Sequence, residues 1–282
     1  MRTYLACYPC VLRQAIEAAQ MAKATPSQQR AIMIHTLNIL RELPADATPP
    51  EIGAQVHQIV RQITGHPDPY LSVKQEATAM ALAMLPKLKA MIQTAPDPLE
   101  TAVRLSIAGN VIDFGPKPDF DLWQEVARVL KQDFAINDLQ LLREYVHSAK
   151  SILLIGDNAG ETVFDRLLIE TLPKPVTYVV RGGAILNEAT RDDAIAAGIN
   201  EVAEIFDQGT RLPGVVLPLS PPAFQECFKS ADLILSKGMG NYETLSEVPG
   251  PIFFLLKVKC PVISRDISAP VGSIIVKRGM NL

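Results

Sequence analysis

The sequence predicts an α/β protein with a mostly parallel, doubly wound sheet of the Rossmann-like three-layer kind, preceded by an all-helical subdomain. Three observations lead there. From Ser151 onward, short apolar runs bounded by turn residues alternate with helical patterns, the signature of parallel strands joined by crossover helices. Ahead of them, residues 1 to about 110 carry helical periodicity broken by proline. At the junction stands Ser151–Glu161, SILLIGDNAGE, which reads as a buried strand delivering a carboxylate and an amide to a tight turn and a helix N-terminus. The expected division is 1–105 for the helices and 106–282 for the α/β part.

The helical half is punctuated by starts. Pro26 follows Thr25, Pro49 follows Thr48, Pro69 follows Asp68 and Pro98 follows Asp97, and a Ser, Thr or Asp cap before proline marks a first turn. Val56, Ile59, Val60 and Ile63 make one apolar stripe, and Leu71–Ile92 is apolar over much of its circumference, the pattern of a central helix. Further helices are expected near Asp121–Lys131 and Asp138–Ala149. Strands are then expected at Ile152–Ile155, Val176–Val180, Val202–Ile205, Leu233–Leu235 and Ile252–Leu256. Helices should lie between most of them, at Thr162–Glu170, Asp192–Ala197, Pro222–Ser230 and Tyr242–Glu247. Val262-Ile263 and Ser273–Val276 read as edge strands.

Composition narrows the function classes. With 282 residues, 48% hydrophobic and 20% charged, the chain can bury a large core and is not a disordered protein. A net charge of −3 without a basic run argues against a nucleic-acid or anionic-membrane partner. No apolar stretch reaches membrane-spanning length, and MRTYLACYPC lacks the pattern of a signal peptide. Four cysteines (Cys7, Cys10, Cys227 and Cys260) are too few for a disulfide scaffold, which points to a reducing cytoplasm.

Four loops each follow a strand-like run, so a parallel topology would gather them at one end of the sheet, where open α/β sheets bind ligands. They are Gly156–Glu161, Arg181–Thr190, Ser236–Glu243 and Leu256–Lys259. Asp157, Asn158 and the acid of the second loop offer hard oxygen ligands suited to a divalent cation. Lys237, beside glycines whose amides can approach an anion, and Lys257 suit a phosphate. Against this, an isolated Asp-Asn turn is more often a cap or turn former, and Asp192-Asp193 read as helix-capping residues. No Walker loop or nucleophile elbow is present, none of the strand-like runs ends in the Asp-x-Asp of the phosphoaspartate phosphatases, and the glycines of Lys-Gly-x-Gly-Asn fall short of a dinucleotide fingerprint.

Taken together, GDNAGE, LNEAT with DDA, SKGMGNYETL, LLKVKCPVI and AGNVIDFG at Ala108–Gly115 resemble the metal-dependent damage-control phosphatases, first catalogued as a domain of unknown function. Cys7-x-x-Cys10 resembles the cysteine-bearing prokaryotic branch. The resemblance spans nearly the whole chain. It implies hydrolysis of phosphate monoesters of small metabolites, sugar phosphates or damaged phosphometabolites, with bound Mg²⁺, Mn²⁺, Co²⁺ or Ni²⁺. It also implies roles. Asp157 and Asn158 would hold the metal with Glu188, which stands where the family usually has an Asp. Asn110, Asp113, Glu161, Lys237, Gly238, Gly240, Asn241 and Lys257 would line the substrate pocket, with Asp113 or Glu161 as general acid or base. Asn110 and Asp113 also read as a plain turn after a helix.

Two other classes fit the same crevice: an S-adenosylmethionine-dependent methyltransferase, and a metal- or phosphometabolite-binding protein without catalysis. Cys7 and Cys10 read as core residues of the first helix, with a redox pair or half of an intersubunit or cluster site left open, and with it a homo-oligomer. Cys227 and Cys260 read as core, and the four histidines form no ligand-spaced cluster.

Overall fold

The structure is a computed structural model and describes residues 1–110 and 122–280. The described helical elements before the sheet are α1 (Tyr8–Met21), α2 (Pro26–Arg41), α3 (Pro49–Thr64), α4 (Leu71–Gln93) and α5 (Pro98–Gly109). Three of the four proline starts work as read, and at the fourth α4 begins at Leu71, two residues after Pro69. Thr25 and Thr48 close capping boxes with Gln28 and Glu51, and the Asp97 side chain accepts from the Glu100 amide.

The rest alternates: α6 (Leu122–Lys131), β1 (Phe134–Asn137), α7 (Leu139–Ser148), β2 (Ile152–Ile155), α8 (Thr162–Thr171), β3 (Val176–Val180), α9 (Arg191–Ala196), β4 (Glu204–Asp207), α10 (Pro222–Ser230), β5 (Leu233–Lys237), α11 (Gly238–Leu245), β6 (Ile252–Lys257), α12 (Pro261–Ile267) and β7 (Ile274–Arg278). One seven-stranded sheet has the order β1-β7-β6-β5-β2-β3-β4. The pairs β6–β5–β2–β3–β4 are parallel, whereas β7 runs antiparallel to β6 and carries β1 parallel to itself. The chain builds outward from β2 through β3 to β4, then returns to β5 and goes the other way, so β2 and β5 flank a topological switch point.

Side chains alternate across the sheet, as strands covered on both faces require. Ile152, Leu154, Tyr178, Leu235 and Phe253 face one layer, with Met84 and Leu88 of α4, Leu105 of α5 and Phe164 of α8. Leu153, Ile155, Val179, Ile234 and Phe254 face the other, with Phe224 of α10, Tyr242 of α11 and Ile263 of α12. Helices α1–α3 have their own core of Ala15, Ala18, Ile32, Ile52, Val56 and Val60.

The hydrophobic clusters group the helices by what they pack on. Only α1–α3 stand apart, and α4 and α5 cover the sheet against α8. Three local expectations change. Val262-Ile263 are helical, because Cys260 caps and Pro261 opens α12. The tail strand β7 lies inside the sheet between β6 and β1, and β1 had no reading as a strand because it is only four residues of mixed exposure. The helix expected at Tyr242–Glu247 begins earlier, at Gly238, immediately after β5.

Candidate active site

At the ends of the two strands flanking the switch point, β2 runs into Gly156-Asp157-Asn158 and β5 into Lys237-Gly238. The loop after β3 folds back onto the β2 loop. The Ala159 amide donates to the Asn187 carbonyl at 2.9 Å and the Ala189 amide to the Asp157 carbonyl at 2.8 Å, closing a bridge between Asn158 and Glu188. That pairing brings Asp157, Asn158 and Glu188 together across some thirty residues of chain. All three are buried yet line a cavity of about 330 Å³. Its opposite wall comes from the separate helical group, with Cys7 at the start of α1, Cys10 and Gln14 of α1, and Pro50 and Gly53 of α3.

Beneath the cavity lies a polar network. Asn110 Nδ2 donates to Asp157 Oδ2 at 2.6 Å and to Glu161 Oε2 at 2.8 Å, and Asn158 Nδ2 donates to the same two oxygens at 3.0 and 3.3 Å. Lys237 donates to Glu161 Oε1 and, at 2.6 Å, to Asp165 Oδ1. Asp165 also accepts from Ser106 Oγ at 2.7 Å and from the Tyr178 hydroxyl at 2.9 Å. Burial alone would lower the Lys237 ammonium, but Asp165 and Glu161 outweigh it and push it up to about 12. Arg181, fully buried at the end of β3, donates to Glu188 Oε2 at 2.6 Å, to the Gly156 carbonyl and to Asn241 Oδ1 at 3.2 Å.

Two features mark the cavity floor as a place for a cation. Burial lifts the Asp157 carboxyl well above the usual carboxylate range, and Glu188 and Glu161 push it further, with Arg181 and Lys259 opposing. Asn110 Oδ1, buried among these acids, has no donor among the described residues. A hard divalent ion would answer both, taking carboxylate and amide oxygens and removing the repulsion. The donor types present therefore suit a divalent metal, with Glu188 on the cavity wall although Arg181 shares its charge. The N-terminus of α11 points at the same spot. Gly238 has φ +76°, and a Cβ there would overlap the Asp157 carboxylate, so only glycine permits this close approach.

Of the residues singled out in the sequence, Asn110, Asp157, Asn158, Glu188 and Gly240 line the cavity. Glu161, Lys237, Gly238 and Asn241 sit buried behind it. Lys237 is spent on Glu161 and Asp165 rather than offered to a ligand. Asn241 braces the turn, its Nδ2 donating to the Gly156 carbonyl at 3.1 Å and the Lys237 carbonyl at 2.7 Å. Lys257 does not line the cavity but pairs with Glu125 of α6 at 2.9 Å. Lys259 takes that place, half-buried on the wall and donating to the Asn110 carbonyl. Asp113 lies outside the described residues. Asp193 is the helix cap anticipated, closing a box with Thr190 and pairing with Lys74 at 2.9 Å.

Other residues went unread. Arg181, Asp165 and Tyr178 lie within runs that scan as strand and helix, and their polar atoms meet only in the fold. An arginine ending the apolar run VTYVV was the one available signal, since a buried guanidinium needs an acid nearby. Cys260 caps α12 and lines the cavity with Cys7 and Cys10; Cys7 and Cys260 also pack against one core layer, whereas Cys10 is exposed. Glu243 joins them one turn beyond Met239, its carboxyl pushed by burial to about 8 against the opposing Met1 ammonium.

Fold and site together define the class, an α/β protein with a small-molecule crevice at the sheet's switch point and an acidic floor suited to a cation. The family model of the damage-control phosphatase ARMT1-like domain matches residues 3–275, and this chain belongs to that family. A damage-control phosphatase of Pyrococcus horikoshii is 36% identical over 286 residues, covering 99% of this chain and 98% of that protein. An uncharacterized protein of Methanocaldococcus jannaschii is 36% identical over 287 residues, covering 96% and 94%. A damage-control phosphatase of Archaeoglobus fulgidus is 35% identical over 235 residues, covering 80% and 81%. The crystal structure of a DUF89 family protein from P. horikoshii superposes with a TM-score of 0.90 at 35% identity, covering 99% of both chains.

Proposed function

We propose that this protein is a phosphatase that hydrolyses small phosphate monoesters, sugar phosphates or damaged phosphometabolites, with a divalent cation held by Asp157, Asn158 and Glu188. The observation that carries the reading is the acidic floor at the switch point, where a raised Asp157 and an orphaned Asn110 oxygen face a cavity beside a helix N-terminus. Bound Mg²⁺, Mn²⁺, Co²⁺ or Ni²⁺ would supply Lewis-acid neutralisation of the phosphoryl oxygens and a lowered pKa for the attacking water.

The chain's own groups do the rest. Backbone amides in the first turn of α11, around Gly240, would donate to phosphoryl oxygens at the positive end of the helix. Lys259 would supply a cation on the cavity wall for charge that develops on the transferring group. Asn110 and Glu161 keep Asp157 and Asn158 in one orientation, and Lys237 opposes the burial that raises the Glu161 carboxyl. Glu161 is therefore a positioning residue, since it does not reach the cavity. Four cysteines, all free, suit a reducing cytoplasm, and among the described residues no helix is long and apolar enough to cross a membrane.

The test is phosphate release from a panel of sugar phosphates and an aryl phosphate, after chelator stripping and resupply of single metals. Metal-dependent release is expected, and Asp157→Ala should lower it at least about 100-fold while leaving the circular dichroism spectrum unchanged. Full activity in Asp157→Ala would remove Asp157 from the site. Absence of release with every metal would favour a binding protein.

A further inference from the structure

A second cleft, of about 520 Å³, is lined by Arg61, Arg211, Gln58, Gln62 and His66, and by no carboxylate, in a chain whose net charge is −3. Among the described residues neither arginine belongs to an ion pair. The nearest acid acting on Arg61, Asp68, is engaged by Lys74 at 2.9 Å. Burial and then the charge of Arg211 lower the Arg61 guanidinium from its usual range, so the two cations feel one another.

Their placement is built by the loop after β3. Arg61 Nη1 donates to the Ala184 carbonyl at 3.1 Å. Arg211 lies so close along Gly183 that a Cβ there would overlap its Nε. The Gly182 amide donates to the Thr210 carbonyl at 2.9 Å, fixing the segment that carries Arg211. The same Gly182–Glu188 loop presents Leu186, Asn187 and Glu188 to the first cavity. Arg61 has a simpler role too, since a cation in the last turn of α3 complements the helix dipole. That role leaves most of its donors unused and does not explain Arg211.

We propose that Arg61 and Arg211 form an oxyanion subsite that takes a phosphoryl group, distinct from the carboxylate site and joined to it through the Gly182–Glu188 loop. Each guanidinium offers a planar fork of donors matched to two phosphate oxygens. A dianion between them turns like-charge repulsion into attraction, and the Gln58 and Gln62 amides add donors. The phosphoryl group is either a second phosphate on the substrate or a free phosphate. The proposal stands independently of hydrolysis at Asp157, because its readout is binding.

Inorganic phosphate is titrated calorimetrically into the metal-stripped full chain, alongside Asp157→Ala and Arg211→Gln. Saturable binding is expected, retained in Asp157→Ala and weakened at least tenfold in Arg211→Gln, with Arg211→Lys intermediate. Arg211→Gln should match wild type in melting temperature without phosphate and lose the rise that phosphate confers. A hexose bisphosphate that binds more tightly than its monophosphate only when Arg211 is present identifies a substrate phosphate. Simultaneous binding of phosphate and the monophosphate identifies a free anion. No saturable phosphate binding by metal-stripped wild type, or undiminished affinity in Arg211→Gln, overturns the proposal.

Discussion

Asn110 and Lys237 show how so many acids can share one buried place. One amide group donates to both Asp157 and Glu161, and one ammonium answers both Glu161 and Asp165. Such networks are costly when half complete, because a charge left alone in a low dielectric loses its hydration without compensation. Lys237→Met should therefore destabilise the protein by about 3–5 kcal/mol in urea unfolding. A change below about 1 kcal/mol would mean that the acids are already protonated and need no partner. The lysine was legible in the sequence as a cation near glycines, but not as a buried counterion, because the two acids it meets lie at the cap and in the first turn of α8, more than seventy residues earlier.

Among the elements, α11 and α3 carry the sharper consequences. Gly238 opens α11 in a left-handed conformation under Asp157, so Gly238→Ala combines a φ penalty with a steric collision. It should cost about 1–2 kcal/mol from the backbone alone and lower metal affinity measured by competition with a chelator. Wild-type metal affinity in this variant would show that α11 does not hold Asp157 in place.

On α3, His57 is buried against Tyr70, with ring centroids 5.8 Å apart and Nε2 unpartnered among the described residues. Burial, helped by Arg61, lowers it from 6.5 to about 3. The unfolded chain then binds the extra proton below pH 6.5, so stability falls as the pH falls from 6.5 towards 3. Between pH 6.5 and 5 this one group should remove roughly 2 kcal/mol. Urea unfolding of His57→Gln should show a correspondingly shallower slope over that range. An identical slope would mean that His57 titrates normally. The sequence showed only that the four histidines form no ligand-spaced cluster; that Tyr70 covers His57 is decided in the fold.

Across the protein, one sheet with both faces covered carries most of the burial, and α1–α3 form a separate core docked over the strand ends. Hydrogen exchange should be slowest in β2, β5 and β6 and distinctly faster in α1–α3, which can open without breaking the sheet. Equal protection in both regions would show that they unfold as one unit. The site lies between these two bodies, so motion of the helical group would alter access to the cavity without disturbing the acids on its floor.

Local chemistry was strongly legible. Caps at Thr25, Thr48 and Asp97, the strands β2 and β3, and the turn Gly156–Glu161 follow from short-range rules that hold wherever the segment lies. Asp157, Asn158 and Glu188 could be singled out because the loops after parallel strands must converge. The tertiary structure alone decided which of the remaining polar residues face the cavity. Lys259 rather than Lys257 stands on the wall, Lys237 turns inward to Asp165, and Arg181 braces Glu188. It also decided that β7 enters the sheet reversed and that α4 and α5 belong to its cover. The reason is that a side chain's role depends on partners distant in the chain. Propensity and spacing describe each segment's own preferences, while burial, charge pairing and strand order arise only when the segments meet.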